Sequence, residues 1–330
     1  FDVPHDPRAR LVGAGAVLRA LNGCPSSSID IKKHAPLGKR LVVVGAGNVA
    51  LDVARLLSKT QADLLGSDLD NAVLAELRPS PLHSIDIIGR SPLHRAKFDV
   101  AMLRELCALP HVQIFAEGIT DADAGSSLNV LKEAMQASAA SARAPRQRIT
   151  FHFGLTPRSV TENGGVTTLH TSAADGIPSR SFDADSIVTA VGFVPGESLG
   201  IPMPKETWHG TNVFRVGWLR RGPIGTVAEN RRCAKEVTDA IFALAENGEL
   251  SFGKPGFDAV RPLIASRVIG FEGWRRIDAY ELASASPARC RQKVTDVDRM
   301  ISIATRDEEP LSVPSPCTAD QRVHEAAGPG

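Results

Sequence analysis

The chain has 330 residues, 43% of them hydrophobic and 23% charged, with a net charge of +1. This is ordinary for a globular protein of one large or two medium domains. It excludes a global basic field directed at nucleic acid. No apolar run reaches the length of a membrane span, and no secretory n-region and h-region opens the chain. Its five cysteines, Cys24, Cys107, Cys233, Cys290 and Cys317, are scattered with no C-x-x-C. Neither a dithiol centre nor an iron–sulfur cluster is therefore encoded. An odd, dispersed set points to reduced thiols and a cytoplasmic setting. No metal-ligand set is found.

In chain order, residues 1–36 hold a small apolar run, Val12 to Leu21, followed by turn and loop residues. The chain begins at Phe1 rather than Met, and the stretch reads as the end of a domain that starts upstream. Leu41 to Val44 is an apolar, β-branched run that fits a buried parallel strand. Gly45, Gly47 and Ala50 follow as G-x-G-x-x-A, and Val49, Val53, Leu56 and Leu57 then recur at helical spacing. Strand, glycine turn and helix are the parts of a dinucleotide-binding βα unit. Gly45 permits the tight turn, Gly47 lets a pyrophosphate approach the backbone, and the helix N-terminus supplies N–H groups to it.

A second helix is expected from Asp68, as its cap, to Leu77, with Leu69, Val73, Leu74 and Leu77 on one face. Ser84 to Ile88 reads as the second strand, ending at Gly89-Arg90. A cation just past this strand favours a ribose 2′-phosphate, and therefore NADP. Arg90 lies about 43 residues past Gly47, against the usual ~20. His94, Arg95 and Lys97 form a local basic cluster. Phe98 to Ala108 reads as a helix and His111 to Phe115 as a third strand. Met135 to Arg146 resembles a helical linker. Ile149, Phe151 and Phe153 alternate, as do Val166 to His170, with Gly164-Gly165 between; the pattern predicts a meander or hairpin. Ser186 to Val191 reads as a buried strand.

Val213 to Val216 is strand-like. Gly222-Pro223 and Gly225 then punctuate a turn before a long helix with Ala234, Val237, Ile241 and Leu244 on one face. Such a turn is either a second anion or cofactor site or a plain helix start beside a core tryptophan. Pro255 to Ile264 and Ile277 to Leu282 read as helices. Arg275, Arg276, Arg289, Arg291 and Lys293 invite comparison with an electrostatic docking face for an acidic partner. Residues 306–330 are polar and proline rich, the composition of a disordered tail.

Several of these segments, in order, resemble the adrenodoxin reductase type of ferredoxin–NADP reductase. They are G-A-G-N-V-A-L-D-V-A-R-L-L at Gly45 to Leu57, D-L-D-N-A-V-L-A-E-L-R at Asp68 to Arg78, Gly192-Phe193, G-W-L-R-R-G-P-I-G-T-V at Gly217 to Val227, and G-W-R-R-I-D-A-Y-E from Gly273. The resemblance runs from about Leu11 to Ile303. It implies an α/β flavoprotein with a Rossmann-like NADP-binding domain (residues 37–190). It also implies the C-terminal part of a discontinuous FAD-binding domain (191–305), with 1–36 as the end of that domain's first segment. The implied activity is NADPH-dependent: hydride transfer to FAD, then one-electron transfer to a ferredoxin-like iron–sulfur protein. The pyrophosphate would be held at Ala46, Gly47, Asn48 and Val49. Trp218, Gly225, Thr226 and Val227 would contact FAD, with Gly225 also against the nicotinamide. No catalytic side chain is assigned.

The chain departs from the family pattern at three places. The family's opening FAD motif is not in it. The second of two family arginines falls on Ser91, after Arg90, and a family glutamate falls on Met102. The alternative is a degenerate, non-catalytic nucleotide-binding domain, or a subunit that needs a separate FAD-binding chain. A pyridine nucleotide–disulfide oxidoreductase would need the missing C-x-x-C.

Overall fold

The computed structural model describes residues 2–25, 35–140, 147–173, 179–192, 214–222, 227–250, 253, 255–264 and 268–305. It divides into two compact units at Val191/Gly192 and Val268/Ile269, so that the segment from Ile269 belongs with the first.

The first unit is built on a six-stranded, wholly parallel sheet. Its strands are β1 (Leu11–Gly13), β2 (Arg40–Val44), β3 (Ser84–Gly89), β4 (Val112–Glu117), β5 (Gln147–Phe153) and β9 (Ser186–Thr189), in spatial order β1-β9-β2-β3-β5-β4. Helices α1 (Ala14–Leu21), α2 (Asn48–Ser58), α3 (Asn71–Leu77), α4 (Val100–Cys107) and α5 (Ser126–Ala140) share one core with it. A three-stranded antiparallel sheet covers its other face: β6 (Leu155–Asn163), β7 (Val166–Ala173) and β8 (Ser181–Ala184). Because strand side chains alternate, Leu41 and Val43 join the helical core, whereas Val42 and Val44 pack with Leu155, Val160 and Phe182 of the second sheet. A strand buried on both faces must be apolar at every position, which is why the run before Gly45 shows no period.

β1 pairs with β9, Leu11 opposite Ile187, so the N-terminal segment completes the parallel sheet. The expected hairpin is corrected. β5 inserts between β3 and β4, and the true hairpin joins β6 to β7. Gly154, at φ 76°, breaks the chain after Phe153. Pro157 disguises β6, and it sits at a register shift of this edge strand, where the missing N–H costs no ladder bond. The cap of α3 is Asp70, not Asp68. Its carboxylate accepts from the amides of Ala72 (2.9 Å) and Val73 (3.1 Å), while Asp68 pairs with Lys293 at 2.7 Å.

The segment expected as a linker from Met135 belongs to the longer helix α5, fastened to β4 by Ser138 Oγ, which accepts the Ile114 amide. Residues 141–146 lie outside the described residues, as do Phe193 and residues 306–330. Buried His152 of β5 spans the sheet. Its Nε2 lies 2.8 Å from Asp86 of β3 and its Nδ1 3.1 Å from Glu117 of β4.

Beyond Ile269, α9 (Phe271–Ala283) and α10 (Val297–Thr305) form a small core of Ile277, Val294, Ile303 and Ala304. The basic residues there each have a partner within the chain. Arg289 is buried and donates to the Leu64 carbonyl (2.7 Å), to Gln61 and to Asn71. Arg291 pairs with Asp278 and Glu281, Arg275 with Glu272 and Lys293 with Asp68, and Arg276 donates to the Ala304 carbonyl.

The second unit contains α6 (Trp218–Arg221), α7 (Val227–Glu246) and α8 (Phe257–Ile264). The Gly217 amide and the Arg220 guanidinium both reach Cys233 Sγ, at 3.3 and 3.6 Å, and tie α6 to α7. Residues 214–216 form no strand. The inward positions of α7 are Cys233 and Val237, whereas Ala234, expected on that face, is exposed.

Candidate functional site

β2 is the switch point of the sheet: the chain continues to β3 on one side and later returns through β9 on the other. Ligands of open α/β sheets bind at the carboxyl ends of the strands at such a point. Here that end is the β2–α2 turn. Its two glycines have different reasons to be glycine. Gly45 has φ 118°, and a Cβ there would lie 2.3 Å from the Ala190 carbonyl oxygen. The fold itself forbids a side chain. Gly47 is extended (φ −124°, ψ −177°), a conformation open to any residue, and a Cβ there would meet nothing within 4 Å. Folding does not require glycine at 47; an approaching ligand would.

Gly47 is also the N-cap of α2, and no side chain caps it. The first-turn amides, including those of Asn48 and Val49, lack intrahelical acceptors and carry the positive end of an eleven-residue helix. Ala50 is fully buried, which brings helix and strand together as a third glycine would. Val49 packs on the helical core, and Ala46 lies against Gly89, whose added Cβ would be 3.0 Å from that of Ala46. Asp52 pairs with Arg55 on the helix flank at 2.8 Å.

The segment after β3 runs along this turn. Arg90 is exposed at the strand end, and the Ser91 carbonyl accepts the Gly154 amide at 3.3 Å. Lys97 pairs with Gly47 in a single parallel bridge. Asn48 Oδ1 accepts the Asp99 amide at 2.6 Å. Arg90, Arg95 and Lys97 are exposed, and among the described residues none has a side-chain hydrogen bond or ion pair.

The sequence reading missed Asp123. Its carboxylate, fully buried, accepts both the amide (2.8 Å) and the Nδ1–H (2.9 Å) of His94, while its other oxygen accepts the amide and hydroxyl of Thr120. Burial pushes this carboxyl up, but the hydrogen bonds from Thr120 and His94 outweigh it and hold Asp123 below the usual carboxylate range. T-x-x-D is a local loop signal, but nothing local announces a bond to His94.

Gly45, Ala46, Gly47, Asn48, Val49, Arg90 and Ser91 thus meet at one edge of the first unit. Met102 lies partly buried against the helical core. Trp218 is in the second unit and is 43% exposed. Val227 begins α7, and Gly225 and Thr226 lie outside the described residues. Among the described residues, no group of three or more acidic, histidine or cysteine side chains is placed to hold a metal. No helix among them is long and apolar enough to cross a membrane.

A parallel sheet with a helix that no side chain caps, entered through a glycine turn, is the architecture of dinucleotide-binding α/β proteins. Comparison with known proteins narrows the class. No protein-family model matches the chain. It is 33% identical over 308 residues to cindoxin reductase of Citrobacter braakii, covering 88% of this chain and 66% of that protein. It is 29% identical to a probable ferredoxin/ferredoxin–NADP reductase of Mycobacterium tuberculosis, over 93% of this chain and 60% of that one. The structure of M. tuberculosis FprA in complex with NADPH superposes with a TM-score of 0.74 at 25% identity, covering 92% of this chain and 75% of that chain. The chain belongs to the ferredoxin–NADP reductases of the adrenodoxin reductase type. It spans about two thirds or less of the length of these curated relatives.

Proposed function

We propose that the chain is the dinucleotide-binding part of an NADPH-dependent flavoprotein reductase that delivers electrons to a ferredoxin-like iron–sulfur protein. The carrying observation is Gly47, a glycine that neither backbone strain nor packing demands and that opens onto free space at a helix N-terminus. The family relationship and the NADPH complex of FprA support the same reading.

In this reading the pyrophosphate of NADP(H) lies on the amides of Ala46 to Val49, where a Cβ at 47 would block it. Arg90 faces the adenosine end and neutralises part of the 2′-phosphate charge. Ser91 supplies a hydroxyl where the family has a second arginine, so the preference for NADP must draw on other cations. Trp218, Gly225, Thr226 and Val227 are the flavin-contact positions, and a glycine at 225 leaves room for stacked flavin and nicotinamide rings. When bound, FAD supplies the conversion of a hydride pair into single electrons, and this chain's part is to bind and orient the nicotinamide donor.

Titration calorimetry of the chain with NADP+ and NAD+ tests this. Binding of NADP+ in preference to NAD+ is expected. Absence of binding to either would favour the degenerate, non-catalytic alternative.

A further inference from the structure

The segment that leads into α4 runs extended beside the β2–α2 turn. Ala96 (φ −64°, ψ 138°) and Asp99 (φ −77°, ψ 136°) both have extended backbone. Between them the side chains alternate. Ala96 packs on the helical core, Phe98 is buried in it with its ring 6.4 Å from that of Phe151, and Lys97 is exposed. Lys97 therefore points away from the core. The main chain just beyond it is fixed: the Asp99 amide donates to Asn48 Oδ1, and the Asp99 carboxylate accepts the Ala101 amide at 2.7 Å to start α4. Lys97 itself pairs with Gly47 in parallel register. Partners in a parallel pair carry their side chains on the same face, with the two backbones roughly 4.8 Å apart. Gly47 has no side chain, and the place where one would start is open to 4 Å. Its neighbour Ala46 faces the other way, onto the core. Lys97 thus rises beside the space that Gly47 leaves open, on a four-carbon stem long enough to lean over it. Among the described residues no side-chain partner holds its ammonium elsewhere.

We propose that Lys97 is a binding residue for the pyrophosphate, adding a full positive charge to the partial charge that the α2 N-terminus presents. This rests on the reading of the β2–α2 turn as the dinucleotide site and deepens it by naming a side chain that completes the phosphate cradle. Each phosphoryl group of the pyrophosphate carries a negative charge, and a helix N-terminus offers only about half a unit against it. A mobile ammonium on a fixed backbone supplies the rest as a charge-assisted hydrogen bond. The pyrophosphate is common to NAD+ and NADP+, so Lys97 adds affinity for both alike and takes no part in choosing between them.

The test is calorimetric titration of the chain and its Lys97 variants with NADP+ and NAD+ at low and high salt. Lys97→Ala removes an exposed side chain and leaves the packing intact. It should weaken both dinucleotides by about tenfold, with the ratio of the two affinities unchanged within about twofold. Lys97→Arg keeps the charge and should bind both within about threefold of the wild type. Added salt should weaken the wild type and Lys97→Arg more steeply than Lys97→Ala, which has one charge fewer to screen. Wild-type affinity for both dinucleotides in Lys97→Ala would overturn the proposal. So would a loss confined to one of them, or a Lys97→Arg chain as weak as Lys97→Ala. A wild-type chain that binds neither dinucleotide would overturn the underlying site assignment, a result distinct from one that binds both whatever stands at position 97.

Discussion

At the scale of single residues, two glycines one position apart separate folding from binding. Gly45→Ala places a Cβ against the Ala190 carbonyl in a backbone region that disfavours side chains. It should destabilise the fold by roughly 2–4 kcal/mol, read as a lower urea midpoint. Gly47→Val should cost only about 1 kcal/mol, the loss of a favoured N-cap residue, because its backbone is extended and its surroundings are open. The same variant should lose NADP+ binding at least tenfold by calorimetry. A Gly47→Val protein that is equally tight, or a Gly45→Ala protein that is equally stable, would refute the division. Asp123 adds a pH signature. Its carboxyl lies below its unfolded value, because the hydrogen bonds outweigh burial. The stabilisation is therefore complete above an unfolded carboxylate pKa of about 3.9. It is lost as pH falls through the lower folded value. Asp123→Asn should flatten that acid limb of a stability–pH curve while leaving the slope near neutrality unchanged.

At the scale of elements, the two aspartates before α3 illustrate why spacing alone misassigned a cap. Asp68 and Asp70 are both acceptable cap residues, but only Asp70 meets the amides of Ala72 and Val73. Asp68 turns instead to Lys293, which is more than two hundred residues away in the chain. Asp70→Ala should cost about 1 kcal/mol. Asp68→Ala, which breaks a pair whose carboxylate is 42% exposed, should cost less than about 1 kcal/mol. Chemical denaturation of the two variants side by side decides the assignment, and a reversed order would return the cap to Asp68.

At the scale of the whole molecule, the segment after Ile269 is held to the first unit through Arg289. The guanidinium reaches Leu64, Gln61 and Asn71, and two backbone bonds run alongside it, Gly66 to Ala288 and Cys290 to Ser67. Arg289→Ala leaves the buried Leu64 carbonyl and the less buried amide oxygens of Gln61 and Asn71 without their donor. It should cost about 2–3 kcal/mol and should raise hydrogen exchange of residues 269–305 as a block. Unchanged exchange there would show that the small core of Ile277, Val294 and Ile303 holds the segment unaided. Of the basic residues in this segment, Arg289 is buried in these contacts, whereas Arg275 stays largely exposed beside Glu272.

The sequence by itself determined the β2–α2 unit, the strands β3, β4 and β9, and the family, because each depends on local pattern. An apolar run, a glycine at a fixed offset and a 3.6-residue period are written into consecutive residues. Tertiary structure alone decided that β5 enters the parallel sheet and leaves β6 to make the hairpin, that Leu11 to Gly13 joins that sheet beside β9, and that Asp123 seizes His94. Each of these joins residues far apart in the chain. Alternating apolar residues satisfy a parallel or an antiparallel neighbour equally well, and a buried carboxylate finds its donors by proximity in space, which no spacing along the chain encodes.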